Sequence, residues 1–299
     1  MSVVIELLAG LVLGNLRHAG VSQLDFLRTS RAVDALSQAA VILLFFRVGL
    51  EATVGDLKRV GTSAVLVAAC GIAGSFACGW AAVRLLMPGT PIAGQLFLAT
   101  SLTATSVGVT ARVLKDLRQT RTGTAHVILG AAVVDDVAAL TLLAIVGLSG
   151  IVPLTLNPSA FLVIAAFAAG LMIDERRSQA IDAFIAPFAR WIVPIFFIVV
   201  GVHADLSGLA KPSVVALALG LTAAAVIGKQ FCALGVQRGH AGHVDRIAVS
   251  LGMMPRGEVT LIFATIGLTG DPFLAVVIAV ILTTLVTPIA LSWRLSRRQ

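Results

Sequence analysis

The sequence predicts an all-α integral membrane protein of about ten transmembrane helices, arranged as two inverted repeats of five. Three observations predict it. Hydrophobic residues make up 58% of the 299 and charged residues 12%, about half the charge of an ordinary globular chain. Apolar runs recur along the whole length with short loops between them, and no stretch is polar and long enough to be a separate soluble domain. The two halves also repeat one another. Residues 45–57 align with 197–209, placing Gly49 on Gly201 at an offset of 152 (201 − 49). Ala9-Gly10-Leu11-Val12 resembles Ala169-Gly170-Leu171-Met172, and the first offset also carries Thr103-Ala-Thr-Ser106 onto Pro255-Arg-Gly-Glu258. Chance similarity between apolar segments is the bland alternative for any one match; three matches in one order argue against it. Each unit, 1–150 and 151–299, then holds five spans. Five is odd, so the second unit enters the membrane upside down relative to the first, the build of many secondary transporters.

In chain order the spans fall at about 2–16, 34–50, 60–87, 93–111, 124–148, 159–173, 191–204, 212–236, 247–269 and 272–293. A spanning helix needs about 20 apolar residues; the shorter runs need tilt, local thinning or burial between neighbours. Residues 176–189, with Arg176, Arg177, Asp182 and Pro187, read as an interfacial connector between the sixth and seventh spans. The fourth span is dense in hydroxyls, from Thr100 to Ser106, and the ninth is broken by Pro255-Arg256-Gly257-Glu258.

Loop charges set the orientation. Loops after odd-numbered spans hold Arg17, Arg28, Arg31, Arg84 and Lys211; loops after even-numbered spans hold Lys58, Arg59, Arg112, Lys115, Arg118, Arg121, Arg176, Arg177, Arg190, Arg238 and Arg246. Arg294, Arg297 and Arg298 follow the last span. The positive-inside rule puts the larger set and both termini in the cytoplasm, and it explains the surplus of 22 Lys and Arg over 15 Asp and Glu better than nucleic acid does. Cys70, Cys78 and Cys232 lie inside apolar runs without metal-ligand spacing and read as small buried hydrophobes. The N-terminus lacks a basic leader region, so no cleavable signal peptide is expected.

The chemistry concentrates in the fifth span, where Asp135 and Asp136 stand side by side near the middle of an apolar helix. A carboxylate at that depth costs roughly 2.5–3.5 kcal/mol on insertion scales. Adjacent carboxylates also oppose each other's ionisation. Such a pair marks an ion or proton pathway; the bland alternative is two acids protonated or snorkelling near a helix end. Lys229 is the one lysine placed inside a span, and an isolated ammonium there needs a partner, one of the two aspartates being the economical choice. Snorkelling from a misplaced boundary is the other reading. In the ninth span Pro255 removes a backbone donor and Gly257 adds slack, so a broken helix exposes carbonyls and half-helix ends to an ion. Thr105 and Ser106 are hard-oxygen candidates for a small cation, although hydroxyls in membrane helices also satisfy their own backbone.

These residues resemble the monovalent cation:proton antiporter-2 family of sodium/hydrogen exchangers. The similar strings are 6–14, 45–51, Thr105-Ser-Val-Gly-Val-Thr-Ala-Arg-Val-Leu114, 128–137, Ile195-Phe-Phe-Ile-Val-Val-Gly201, Pro255-Arg-Gly-Glu258 and Leu282-Thr-Thr-Leu-Val-Thr-Pro288, and together they cover nearly the whole chain in order. The resemblance implies two crossed, broken helices in a core that moves against a scaffold. It implies that Asp136 takes either the cation or a proton, that Asp135 pairs with Lys229, and that Glu258 and Arg256 compensate the facing half-helix dipoles. An Asp-Asp pair with such a lysine resembles the electrogenic members. The chain departs from the pattern in three places. The additional helix that usually precedes each five-span unit is missing, which puts the usual homodimer in question; the linker around 148–160 is short; and Arg47 stands where an apolar residue is usual.

The expected function is therefore a secondary active transporter, not an enzyme, exchanging Na⁺ or K⁺ for protons across a bacterial inner membrane, with no cofactor and no nucleic-acid partner. An organic-anion/sodium symporter of similar plan is the rival within transport, and the Asp-Asp pair and Lys229 argue against it. A shortened relic or accessory membrane subunit is the rival outside transport, against which the intact Asp135, Asp136, Lys229 and Glu258 argue. A channel is the remotest alternative, for want of a filter-like sequence.

Overall fold

The computed structural model describes residues 2–20, 22–51, 61–148, 158–237 and 244–297. The apolar runs become helices because in lipid each backbone N–H and C=O must be satisfied within the segment. They are α1 (Ser2–Asn15), α2 (Arg31–Glu51), α3 (Thr62–Leu86), α4 (Ile92–Ser101), α5 (Val107–Asp116), α6 (Gly123–Leu148), α7 (Pro158–Leu171), α8 (Glu175–His203), α9 (Pro212–Gln230), α10 (Arg246–Gly252), α11 (Glu258–Gly267) and α12 (Gly270–Ser296). The described residues contain no strand. Six of these helices, α2, α3, α6, α8, α9 and α12, are long and apolar enough to cross a membrane. Helices α4, α7 and α11 are shorter apolar segments.

Two sequence expectations are corrected. Residues 176–189 are not an interfacial connector: they form the first half of α8, which runs unbroken for 29 residues with Pro187 and Pro194 inside it. Proline is tolerated in a membrane helix where neighbouring groups re-satisfy the freed backbone. The polar residue that suggested an interface, Asp182, instead receives Nε of Arg47 at 2.7 Å from α2. The unusual arginine thus has a carboxylate to meet, and Arg177 and Arg190 ride on a helix, not in a loop. Helix α5 continues to Asp116, past the expected end at Ala111, so Arg112 and Lys115 occupy its C-terminal half, where cations suit the dipole. Lys229 lies inside the apolar segment Pro212–Gly235, as its sequence position implied: it is the penultimate residue of α9, and the chain tightens after it into a 3₁₀ turn, Phe231–Gly235. Lys58, Arg59, Arg238 and Arg298, the part of the 45–57 repeat beyond Glu51, and the boundary between 150 and 151 lie outside the described residues.

The helices pack in two groups. In one, α1 lies against α8, and α2 lies against α7 and α8. Their crossings are glycine contacts. Gly10 meets Gly201, and a Cβ added at either would run into the carbonyl of Ile198 or Leu7. Gly49 meets Gly170 in the same way, against the carbonyls of Phe167 and Phe46. Small residues let membrane helices approach to backbone distance, which is what holds them where lipid removes the hydrophobic drive. In the other group α3 lies against α9, α9 against α12 and α3 against α6, with the two interrupted helices α4/α5 and α10/α11 among them. Phe97 of α4 and Phe263 of α11 pack in a tilted pair with ring centroids 5.7 Å apart, joining the two interrupted helices through apolar packing.

Candidate ion-binding site

The two interruptions meet. Between α4 and α5 the chain is unwound from 102 to 106, and between α10 and α11 from 253 to 257. The freed backbone groups satisfy each other across the gap, as burial requires. Ser106 N–H donates to Pro255 O at 2.8 Å, and Thr105 Oγ1 donates to Met253 O at 3.1 Å. Thr110 Oγ1 donates to Gly252 O. Gly257 allows this approach, because a Cβ there would stand 2.6 Å from Cβ and Oγ of Ser106. Proline explains the break at 255. The break at 102–106 has no proline; its carbonyls are held open by a partner instead.

That partner is Arg256, whose side chain is fully buried. Its Nη1 donates to Thr103 O at 3.1 Å and Ala104 O at 2.7 Å, and its Nη2 donates to Ser75 Oγ and Ala225 O, both at 3.1 Å. The guanidinium thus caps the C-terminal, negative end of α4 and ties it to α3 and α9. Threonines of α12 hold its backbone: Thr283 Oγ1 accepts from Arg256 N–H at 3.3 Å, and Thr284 Oγ1 donates to Arg256 O at 2.7 Å. Glu258 opens α11, where a carboxylate suits the positive helix end, and Ser106 Oγ donates to its Oε2 at 3.2 Å.

Asp135 and Asp136 lie within α6, which packs against both interrupted helices. Asp135 is wholly buried and receives Lys229 Nζ on both oxygens, at 3.0 and 2.9 Å. Of the two aspartates that sequence reasoning left open for Lys229, Asp135 is the one it meets. Lys229 reaches it because α3 and α9 cross at backbone distance: a Cβ on Gly228 would meet the backbone of Ser75, and one on Gly71 would run into Sγ of Cys232. Asp136, 6% exposed, is buried on the adjoining face of α6. Thr100, Ser101 and Thr103 spend their hydroxyls on their own helix, at Leu96 O, Leu98 O and Thr100 O. From this stretch, Thr105, Ser106 and Thr110 reach across. Among the described residues no three His, Cys, Asp or Glu side chains cluster as metal ligands. A cation here would be held by one carboxylate with hydroxyl and carbonyl oxygens, which suits a hard monovalent ion. Sequence reasoning missed Ser75, Thr110, Thr283 and Thr284 as supports, since a threonine in an apolar helix carries no signal of what lies across from it.

Two interrupted helices meeting beside a buried carboxylate–lysine pair define a secondary transporter. Comparison with known proteins narrows the class. The family described as "Sodium/hydrogen exchanger, transmembrane" matches residues 2–157 and 159–297. The high-affinity Na(+)/H(+) antiporter NhaS3 of Synechocystis is 30% identical over 89% of this chain and 72% of its own. The Na(+)/H(+)-K(+) antiporter GerN of Bacillus cereus is 29% identical over 96% of this chain and 88% of its own. The sodium proton antiporter MjNhaP1 of Methanocaldococcus jannaschii shares the fold, with a TM-score of 0.63 at 16% identity over 98% of this chain and 90% of that one. The chain belongs to the sodium/hydrogen exchanger family, and it is a cation/proton exchange transporter of the membrane.

Proposed function

We propose that the chain is a ten-span antiporter in which Asp136 takes either one Na⁺ or K⁺ or a proton, never both. Cation binding displaces the proton and protonation ejects the cation, so the site crosses the membrane loaded with one or the other. The observation that carries this reading is the buried Asp135–Lys229 pair beside Asp136, at the meeting of the two interruptions. The pair leaves one of two adjacent carboxylates to exchange its partner. Arg256 and Glu258 set opposite charges on the facing half-helix ends, so that carbonyls and hydroxyls, Thr105 and Ser106 among them, can turn toward a passing ion.

The ten spans form two five-span units, 1–150 and 151–299, of opposite orientation. Two crossings support this. Gly49 and Gly201 are repeat equivalents, as are Gly10 and Gly170, and the packing joins Gly10 to Gly201 as it joins Gly170 to Gly49. Exchanging the two units exchanges the two contacts, as a two-fold relation requires. The group containing α6 and the interruptions moves against α1, α2, α7 and α8. The membrane is a bacterial inner membrane with both termini in the cytoplasm, following the loop charges. The names of the relatives from Synechocystis and Bacillus cereus support Na⁺ and K⁺ as the cations.

The test is exchange in liposomes. Internal pH should change when Na⁺ or K⁺ is added outside the wild type. With Asp136→Asn it should stay constant while expression and melting temperature remain near wild type. Exchange by that variant at the wild-type rate would overturn the assignment.

A further inference from the structure

Away from the interruptions, a cavity of about 520 Å³ lies between the two helix groups, bounded by α2, α7, α8, α11 and α12. At roughly 30 Å³ per molecule it has room for on the order of ten or more waters, far more than one bare ion needs. Its polar wall is Asp34, Ser37 and Gln38 from α2, His203 from α8, and Thr265 and Thr269 from α11 and the turn after it. Gln38 is exposed and Asp34 and Ser37 are half-buried, so this end reaches the surface. Nδ1 of His203 lies 2.9 Å from Val199 O, which can only accept. Nδ1 therefore carries the proton, and Nε2 of the neutral ring is one more acceptor. Among the described residues of the wall, Asp34 is the one formal charge when His203 is neutral, and no Lys or Arg lines the wall beside it. Of the other charges at this end, Lys211 pairs with Asp271 at 2.9 Å and Arg17 and His18 pair with Asp205, while Arg28 and Arg31 stand outside the wall.

We propose that Asp34 makes this cavity a cation-recruiting vestibule, a binding station for a hydrated monovalent cation ahead of the transport site. The inference rests on the exchange reading above, and adds a residue that touches neither Asp136 nor its neighbours in α6. A single negative charge in a water-filled cleft with low-dielectric walls focuses its field and raises the local cation concentration. At about 8 Å through water, one unit charge changes that concentration about two- to threefold. Asp34 thus sets the apparent affinity from one face of the membrane, the outer face if the loop charges orient the chain, and leaves the maximal rate alone.

Two measurements test it. In the first, S37C is placed in a chain whose three native cysteines are replaced, and cationic and anionic methanethiosulfonate reagents are applied to oriented vesicles. With Asp34 present the cationic reagent should react faster; adding D34N should lower the cation-to-anion rate ratio about fivefold, since both rates shift. An unchanged ratio overturns the proposal. This measurement needs no transport, so it judges the vestibule separately from the exchange reading. In the second, D34N alone is assayed for exchange at low ionic strength. The half-saturating Na⁺ concentration should rise about two- to threefold from one face only, with the maximal rate unchanged, and added choline chloride should shrink the difference. A fall in the maximal rate, or an equal shift from both faces, would mean a structural role and overturn the proposal.

Discussion

Lys229 and Asp135 are each wholly buried, and two hydrogen bonds of 3.0 and 2.9 Å join them. Such a pair is worth little relative to apolar residues of the same shape, but breaking it leaves a buried charge behind at about 3–5 kcal/mol. Asp135→Asn and Lys229→Gln should therefore each lower the melting temperature in detergent, and the double variant should be no worse than the poorer single. Additive losses would show that the pair carries no coupling energy. Arg256 is a different case, because its partners are carbonyls and a hydroxyl on α3, α9 and the unwound segment after α4. A lysine keeps the charge but cannot span both sides of the planar fork. Arg256→Lys should lower both stability and exchange, and a variant that melts and transports like the wild type would show that charge alone suffices.

At the scale of the element, the glycine crossings decide how closely α1 and α8 approach. Gly201→Leu would place a side chain against the carbonyl of Leu7. The helices must separate, at a cost of about 1–3 kcal/mol or more, and the melting temperature should fall even though Gly201 is remote from Asp136. Beyond the same helices, Asn15 bridges them by donating to Ala204 O at 2.9 Å and accepting from Leu206 N–H at 2.8 Å. Asp205 completes this clamp. Partial burial alone would raise its carboxyl, but Ser207 N–H, His18 and the charge of Arg17 outweigh that and hold it below the ordinary carboxylate range. A carboxylate lowered by folding stabilises the fold above its unfolded pKa, near 4, and that contribution is lost as pH falls through the folded value. Acidification from about pH 5 to 3 should thus cost the wild type more melting temperature than Asp205→Asn; equal losses would show that the clamp does not report on folding.

For the whole molecule, two acids and a lysine at one depth offer more titrating groups than one cation has charges. Exchange should then be electrogenic: an imposed membrane potential should alter its rate in liposomes. A rate indifferent to the potential, with no potential generated, would make exchange electroneutral. Sodium should also raise the melting temperature of the wild type in proportion to how tightly the folded site binds it, and Asp136→Asn should abolish that rise.

Composition and the spacing of apolar runs were enough to determine that this chain is an α-helical membrane protein, because a span is a local property: about 20 residues must satisfy lipid by themselves. The Asp135–Asp136 pair, Lys229 and the Pro255 break were legible for a related reason, since each violates what lipid demands of an isolated helix. What lies across from a residue has no such local mark. In the fourth span only the hydroxyl density stood out; its break at 102–106 is held open by Arg256, 153 and 152 positions from the two carbonyls it faces. The 176–189 stretch looked interfacial from its charges and proline, and joined α8 because Arg47 supplies the counter-charge to Asp182. Which aspartate takes Lys229, which glycines touch, and that Asp34 and His203 share one cavity were decided only by packing, because each depends on the approach of segments that the order of residues leaves far apart.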